Sequence, residues 1–262
     1  MNQKLSIPTM AEMAAQGKSP EILFWVGSAG SYDDRAKRIV KAFAHLLNQA
    51  KVSFAVLGTE ESDTGDPAKR AGNEFLFQMQ AMMNIQVLET YNVKEIVTTC
   101  PHIFNTLKNE YPALGGNYKV WHHTQYLKKL ILEGKLSVNQ DKLNGKRITF
   151  HDPCYLGRGN NIYDAPREIL QKLGADLTEM KKNKKRSLCC GAGGTQMFKE
   201  PEKGNKDINI LRTEQALETQ PNIIATACPF CNTMLTDGIK FKEKESSIEV
   251  LDIAELLYKA TK

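Results

Sequence analysis

No stretch of the 262-residue sequence approaches the ~20 apolar residues that a bilayer-spanning helix needs. The opening decapeptide MNQKLSIPTM also lacks the charged start and continuous apolar run of a secretory leader. The expectation is a cytoplasmic chain with no transmembrane segment of its own. Arginines and aromatics are not interleaved anywhere, so no nucleic acid is expected as a partner, and the mild net charge of +5 suits an acidic protein just as well. The glycine-rich run Gly191-Ala192-Gly193-Gly194 has neither G-x-G-x-x-G nor Walker spacing, which removes the ground for a nucleotide site. Cysteine is sparse, at six residues, and unlike the pattern of a small disulfide scaffold. In a reducing compartment, clustered thiols point instead to metal or redox chemistry. With 41% hydrophobic residues the chain can bury one large core or two smaller ones.

The chain repeats itself. At an offset of 126, FWVGSAG (24–30) falls on FHDPCYL (150–156), so Ser28 stands where the second half has Cys154, and Gly65 stands where it has Gly191. Thr99-Cys100-Pro101-His102-Ile103 then matches Ala227-Cys228-Pro229-Phe230-Cys231 at an offset of 128. Cys100 pairs with Cys228, Asp63 with Cys189, Thr64 with Cys190 and Ile103 with Cys231. Five cysteines of the second half thus face one in the first.

Each half alternates short apolar runs with amphipathic segments, which predicts an α/β protein: two tandem homologous halves, each a small, mainly parallel sheet flanked by helices. Strands are expected at 22–26, 53–57 and 95–98, and again at 147–150, 223–226 and 249–251. Asp164 before Ala165-Pro166 reads as an N-cap with proline in the first turn. The polar segment 136–146, with Asn144-Gly145, is the best link between halves. This gives an N-terminal half at 1–140 and a C-terminal half at 141–262.

Loops leaving the carboxyl ends of parallel strands carry functional groups, and helix N-termini there supply free N–H donors. Cys154 follows the strand at 147–150, and Cys228 and Cys231 follow the strand at 223–226. Cys189 and Cys190 lie in a glycine-rich loop where backbone can approach a ligand closely. Five soft, anionic ligands suit an iron–sulfur cluster or zinc. Structural zinc usually takes two C-x-x-C pairs. Here there is one such pair, one adjacent pair and one distant cysteine, a pattern that favours a polynuclear cluster because adjacent cysteines can bind different irons.

The pattern Cys154, Cys189-Cys190-Gly191, Cys228-Pro229-Phe230-Cys231 resembles the CCG-domain (cysteine-rich domain) iron–sulfur proteins. These include the cysteine-rich subunit of heterodisulfide reductase and the iron–sulfur subunits of glycolate and lactate oxidation systems. The resemblance covers nearly the whole chain, since the family carries the domain twice. It implies that all five cysteines of the complete copy hold a [4Fe-4S] cluster of noncubane form. The spacing also accommodates a cubane cluster with four ligands. In the first copy Ser28, Asp63, Thr64 and Ile103 replace ligand positions, so that half is expected to keep the fold without the metal. The resemblance implies an electron-transfer subunit of a larger oxidoreductase complex, with a partner carrying ferredoxin-type clusters, a flavin or a membrane quinone site. A zinc-binding structural scaffold is the alternative.

Other features have blander readings. Cys100 reads as a packed relic, and Asp63, Cys100 and His102 as a mixed donor set whose spacing does not fix its geometry. His151 is either a structural histidine or a hydrogen-bond donor to a cluster sulfur. His122-His123 is a poor chelate, since strand neighbours point to opposite faces. The basic run at 181–186 is a solvated loop or a docking site for an acidic redox partner. Met79, Met82 and Met83 are expected to fill core.

Overall fold

The structure, a computed structural model, describes residues 5–200 and 203–261; the first four residues of the N-terminal decapeptide and positions 201, 202 and 262 lie outside it. The described strands are β1 (Ile22–Trp25), β2 (Phe54–Ala55), β3 (Glu95–Thr98), β4 (Lys119–His122), β5 (Arg147–Phe150), β6 (Asp176–Leu177), β7 (Ile223–Thr226) and β8 (Glu249–Asp252). The helices of the first half are α1 (Met10–Ala15), α2 (Gly27–Tyr32), α3 (Asp34–Gln49), α4 (Asp66–Arg70), α5 (Glu74–Thr90), α6 (Pro101–Asn105) and α7 (His123–Leu132). Those of the second are α8 (Asp164–Lys172), α9 (Ile208–Leu217), α10 (Pro229–Phe241) and α11 (Ile253–Ala260).

The strands form two four-stranded sheets, ordered β2-β1-β3-β4 and β6-β5-β7-β8, in which every neighbouring pair is parallel. The α/β class and the tandem halves are as expected. Apolar runs such as Ile223–Thr226 are buried along their whole length, as strands covered by helices on both faces must be. In each sheet the chain steps from the first strand to one side and then crosses back to the other. This reversal opens a crevice at the carboxyl ends of β1 and β3, and another at those of β5 and β7.

The halves share one core, in which Phe24, Phe43 and Tyr126 pack with Phe150, Leu170 and Leu257. Helix α3 lies against α10 and α11, and α7 against α8. Polar side-chain pairs cross this junction, Lys128 with Glu168 at 2.6 Å among them. Arg35 grips Glu255 through two 2.9 Å bonds, and His123 Nε2 meets Asp252 Oδ1 at 2.8 Å with both side chains fully buried. His122 is also fully buried, its Nδ1 2.8 Å from Thr124 Oγ1. Segment 136–146 contains no helix or strand, and its Leu136 and Leu143 are buried in the shared core.

Two expectations need correction. Asp164 is the first residue of α8 rather than its cap; Tyr163 holds that place and makes no side-chain cap bond. Met79, Met82 and Met83 do not fill core, being 44%, 59% and 56% exposed. Helix α5 buries Phe77, Ala81, Ile85 and Leu88, a stripe of helical period, and the three methionines fall on its opposite face.

Candidate metal centre

The sharp turns at the carboxyl ends of β5 and β7 position the cysteines. Cys228 is the N-cap of α10 in extended conformation, and Pro229 at the first helical position presets the turn. Cys231 follows in the first turn. The free N–H groups at that helix end favour a thiolate nearby. Cys154 sits in the turns between β5 and α8, and Cys189-Cys190 in extended loop before Gly191, whose φ of +95° suits a residue without Cβ. The Gly191 amide donates to Cys189 Sγ at 3.3 Å.

The structure brings all six cysteines together. Hydrogen-bond contacts run in an unbroken series from Cys154 to Cys189, Cys190, Cys231, Cys228 and finally Cys100 of the first half. None is in a disulfide. Bonds from Cys154 and Cys190, with the Gly191 amide, hold the Cys189 thiol far below its usual range. Burial alone would raise Cys228, yet bonds from Cys100 and Cys231 and the charge of His102 hold it well below. The other four are pushed up: Cys154 and Cys190 chiefly by their bonds to Cys189, Cys231 by its bond to Cys190, and Cys100 by burial. Cys100, Cys190, Cys228 and Cys231 are buried, while Cys154 and Cys189 keep partial exposure. The centre therefore reaches the surface on one side. The basic residues Lys181, Lys182, Lys184, Lys185 and Arg186 stand exposed just before Cys189 in the chain.

Behind the sulfurs stand His151, which the sequence singled out, and Arg212, Arg167 and Asp152, which it did not. Arg212, on α9, is fully buried and donates from Nε to His151 Nδ1 at 3.0 Å. Burial, reinforced by the Arg212 charge, holds the His151 pKa down to about 3, and burial lowers Arg212 to about 10. A ring nitrogen of His151 and the Sγ atoms of Cys190 and Cys231 lie within 4.8 Å of one another. Arg167 binds Asp152 in bidentate fashion, at 2.7 and 2.9 Å, and so fixes the loop that carries Cys154.

The first half repeats the scaffold and changes the contents. Cys100 caps α6 before Pro101 as Cys228 caps α10 before Pro229. Asp63 Oδ1 accepts from the Gly65 amide at 2.8 Å, as Cys189 Sγ accepts from Gly191. Ser28, Asp63, Thr64, Cys100 and Ile103 line one cavity with Phe230. The Ile103 side chain packs so closely on Gly27 that no Cβ fits there. About 30 Å³ remains, room for a water or two rather than a cluster. Asp63, Cys100 and His102 do not gather as a metal-binding group. His102 Nδ1 instead pairs with Asp66 Oδ2 at 3.0 Å, while its ring lies tilted against Tyr155 and edge-on to Phe230 of the other half.

Fold and site together define a duplicated α/β protein with one thiol-rich centre at the switch point of its second sheet. The cysteine-rich CCG domain matches twice, over residues 22–108 and 148–236, and the chain belongs to that family. It is 52% identical over 252 residues to the probable iron-sulfur-binding oxidoreductase FadF of Bacillus subtilis, covering 96% of this chain and 35% of that protein. It is 48% identical over 250 residues to the EtfAB:quinone oxidoreductase of Syntrophomonas wolfei, covering 93% and 35%. Against one subunit of the dihydromethanophenazine:CoB–CoM heterodisulfide reductase of Methanosarcina barkeri it is 33% identical over 251 residues, covering 92% and 59%. The chain thus spans about a third of the length of the first two relatives. Among solved structures, the glutamate racemase of Aquifex pyrophilus aligns with a TM-score of 0.39 at 17% identity, over 90% of this chain and 80% of that one, too slight a likeness to carry an argument. No helix among the described residues is long and apolar enough to cross a membrane.

Proposed function

We propose that the second half, 141–262, holds one iron–sulfur cluster through Cys154, Cys189, Cys190, Cys228 and Cys231, and that the first half, 1–140, is a metal-free copy braced against it. The carrying observation is the unbroken series of unbridged thiols gathered at the carboxyl ends of β5 and β7. A tetrahedral zinc site requires four donors roughly 3.8 Å apart. Among the described residues His151, Cys190 and Cys231 are the one group of donors that lie mutually within 4.8 Å, so no set of four stands ready for a tetrahedral ion, while five thiols in series can each take an iron of a polynuclear cluster. The buried Arg212 charge and the unpartnered Nε2 of His151 fit an anionic group beside them.

The cluster supplies one-electron redox chemistry when bound. The protein binds it by thiolate, neutralises it with buried positive charge and excludes water on the side of Cys228 and Cys231. The partly exposed edge at Cys154 and Cys189 gives electrons a short way in and out. Relatives named for iron–sulfur, quinone and heterodisulfide chemistry support the role of an electron-transfer part of a larger oxidoreductase. Its partner is a redox protein with a flavin or ferredoxin-type clusters, linked to a membrane quinone and docked by its acidic surface at the basic run before Cys189. The chain itself stays on the cytoplasmic side. Iron and acid-labile sulfide analysis of anaerobically prepared protein, with EPR of the reduced form, tests this. Near four irons and four sulfides per chain is expected, with a spectrum that separates noncubane from cubane. One zinc without labile sulfide makes the centre a structural scaffold and ends the proposal.

A further inference from the structure

Arg212 is an uncommon kind of cation, a fully buried one whose own hydrogen bonds all go to neutral groups. Besides His151 it bonds the Lys182 carbonyl and Gln215 Oε1 at 2.9 Å and Ser187 Oγ at 3.1 Å. Asp152, the carboxylate whose field acts most strongly on it, is engaged by Arg167. A buried charge left in that state is costly unless an opposite charge lies close. Cys190 and Cys231 also act on the guanidinium, and as metal ligands they become thiolates.

The direction of the Arg212–His151 bond follows from donor chemistry. An arginine Nε always carries hydrogen and never accepts. His151 Nδ1 therefore supplies the lone pair, which places the ring hydrogen on Nε2 and leaves that nitrogen none with which to bind metal. Nε2 is buried without any hydrogen-bond partner in the protein, on a ring that reaches Cys190 and Cys231. A buried donor in that position needs an acceptor.

We infer that Arg212 and His151 form a positioning relay: Arg212 locks His151 as an Nε2–H donor to a sulfur of the centre, and its own buried charge stands behind that bond. The inference rests on the cluster reading. Reduction adds negative charge to a cluster, and both the N–H and the cation stabilise that charge more in the reduced than in the oxidised form. The relay therefore holds the reduction potential up, and His151 is not a ligand.

Redox titration followed by EPR tests this. His151→Leu, at unchanged iron and sulfide content, is expected to lower the potential by the equivalent of about a tenfold shift in the reduction equilibrium, about 59 mV for one electron. Arg212→Met is expected to lower it in the same direction. His151→Gln, which keeps an oxygen for Arg212 and an N–H for sulfur, is expected to recover part of the loss. A wild-type potential in His151→Leu with full iron overturns the relay, as does loss of one iron, which would make the histidine a ligand. Nitrogen-15 chemical shifts of histidine-labelled, metal-free protein give a cluster-independent reading. An Nε2–H ring is expected, and an Nδ1–H ring overturns the inference. Absence of iron from the wild-type protein overturns the preceding proposal instead.

Discussion

The thiol of Cys100, from the first half, hydrogen-bonds to Cys228 in the second, so the last sulfur of a metal-free copy rests on a proposed ligand of the complete one. Cys100 touches only this end of the sulfur series, whereas Cys189 and Cys231 each bond to two other cysteines. Cys189→Ala or Cys231→Ala is therefore expected to abolish cluster loading, and Cys100→Ala to leave iron near the wild-type level. Iron analysis decides, and equal loss in all three variants would make Cys100 a ligand.

Glu61 gives a pH dependence of the opposite sign to an ordinary paired carboxylate. Its oxygens accept from the Val26 and Gly27 amides at 2.9 and 2.5 Å, but burial outweighs those bonds and pushes its pKa from 4.5 up to about 7. The native state then holds a proton that the unfolded chain has released between those values, so stability falls as pH rises through that window and levels off above it. The loss amounts to roughly 3 kcal/mol. Denaturant unfolding between pH 5 and 8 is expected to show this fall in the wild type and a smaller one in Glu61→Gln. Parallel curves for the two proteins would remove Glu61 as its source.

The strands Glu95–Thr98, Arg147–Phe150 and Ile223–Thr226 are legible to the residue because the buried positions of a strand covered on both faces are apolar or threonine in each. Strand β6, two residues at a sheet edge with an exposed Asp176, leaves no such trace. The five cysteines are legible because spacing and repeat coincide. The contact of Cys100 with Cys228 is not, since it arises where two halves dock, 128 positions apart. Arg212 is equally silent: on an amphipathic helix it reads as a surface residue, and its burial is set by His151 and Ser187, which sit 61 and 25 positions away.

The same limit applies to α5, where apolar residues on both faces hide which one is inside. Met79→Gln and Met82→Gln are expected to change stability by less than about 0.5 kcal/mol, as surface substitutions do. Ile85→Ala, on the buried stripe, is expected to cost about 2–4 kcal/mol. Urea unfolding of the three variants separates the faces. A large cost at either methionine would mean that something covers that side of the helix.

Arg167 joins the two loops that deliver the first three cysteines of the proposed ligand set. Its guanidinium holds Asp152 at 2.7 and 2.9 Å and Glu179 at 2.6 and 2.9 Å. Asp152 Oδ2 in turn accepts from the Lys184 amide at 2.8 Å, and its carbonyl accepts from Ser187 Oγ at 3.3 Å, two residues before Cys189. Asp152 itself stands two residues before Cys154. Arg167→Met would leave a buried carboxylate facing apolar atoms, at a cost of about 3–5 kcal/mol. Arg167→Lys recovers little, because an ammonium cannot bind two carboxylates in bidentate fashion. The double variant Arg167→Met, Asp152→Asn is expected to cost clearly less than the sum of its parts, since the stranded charge is gone. Unfolding of the metal-free proteins measures the coupling, and additive costs would show that the pair contributes only through separate contacts.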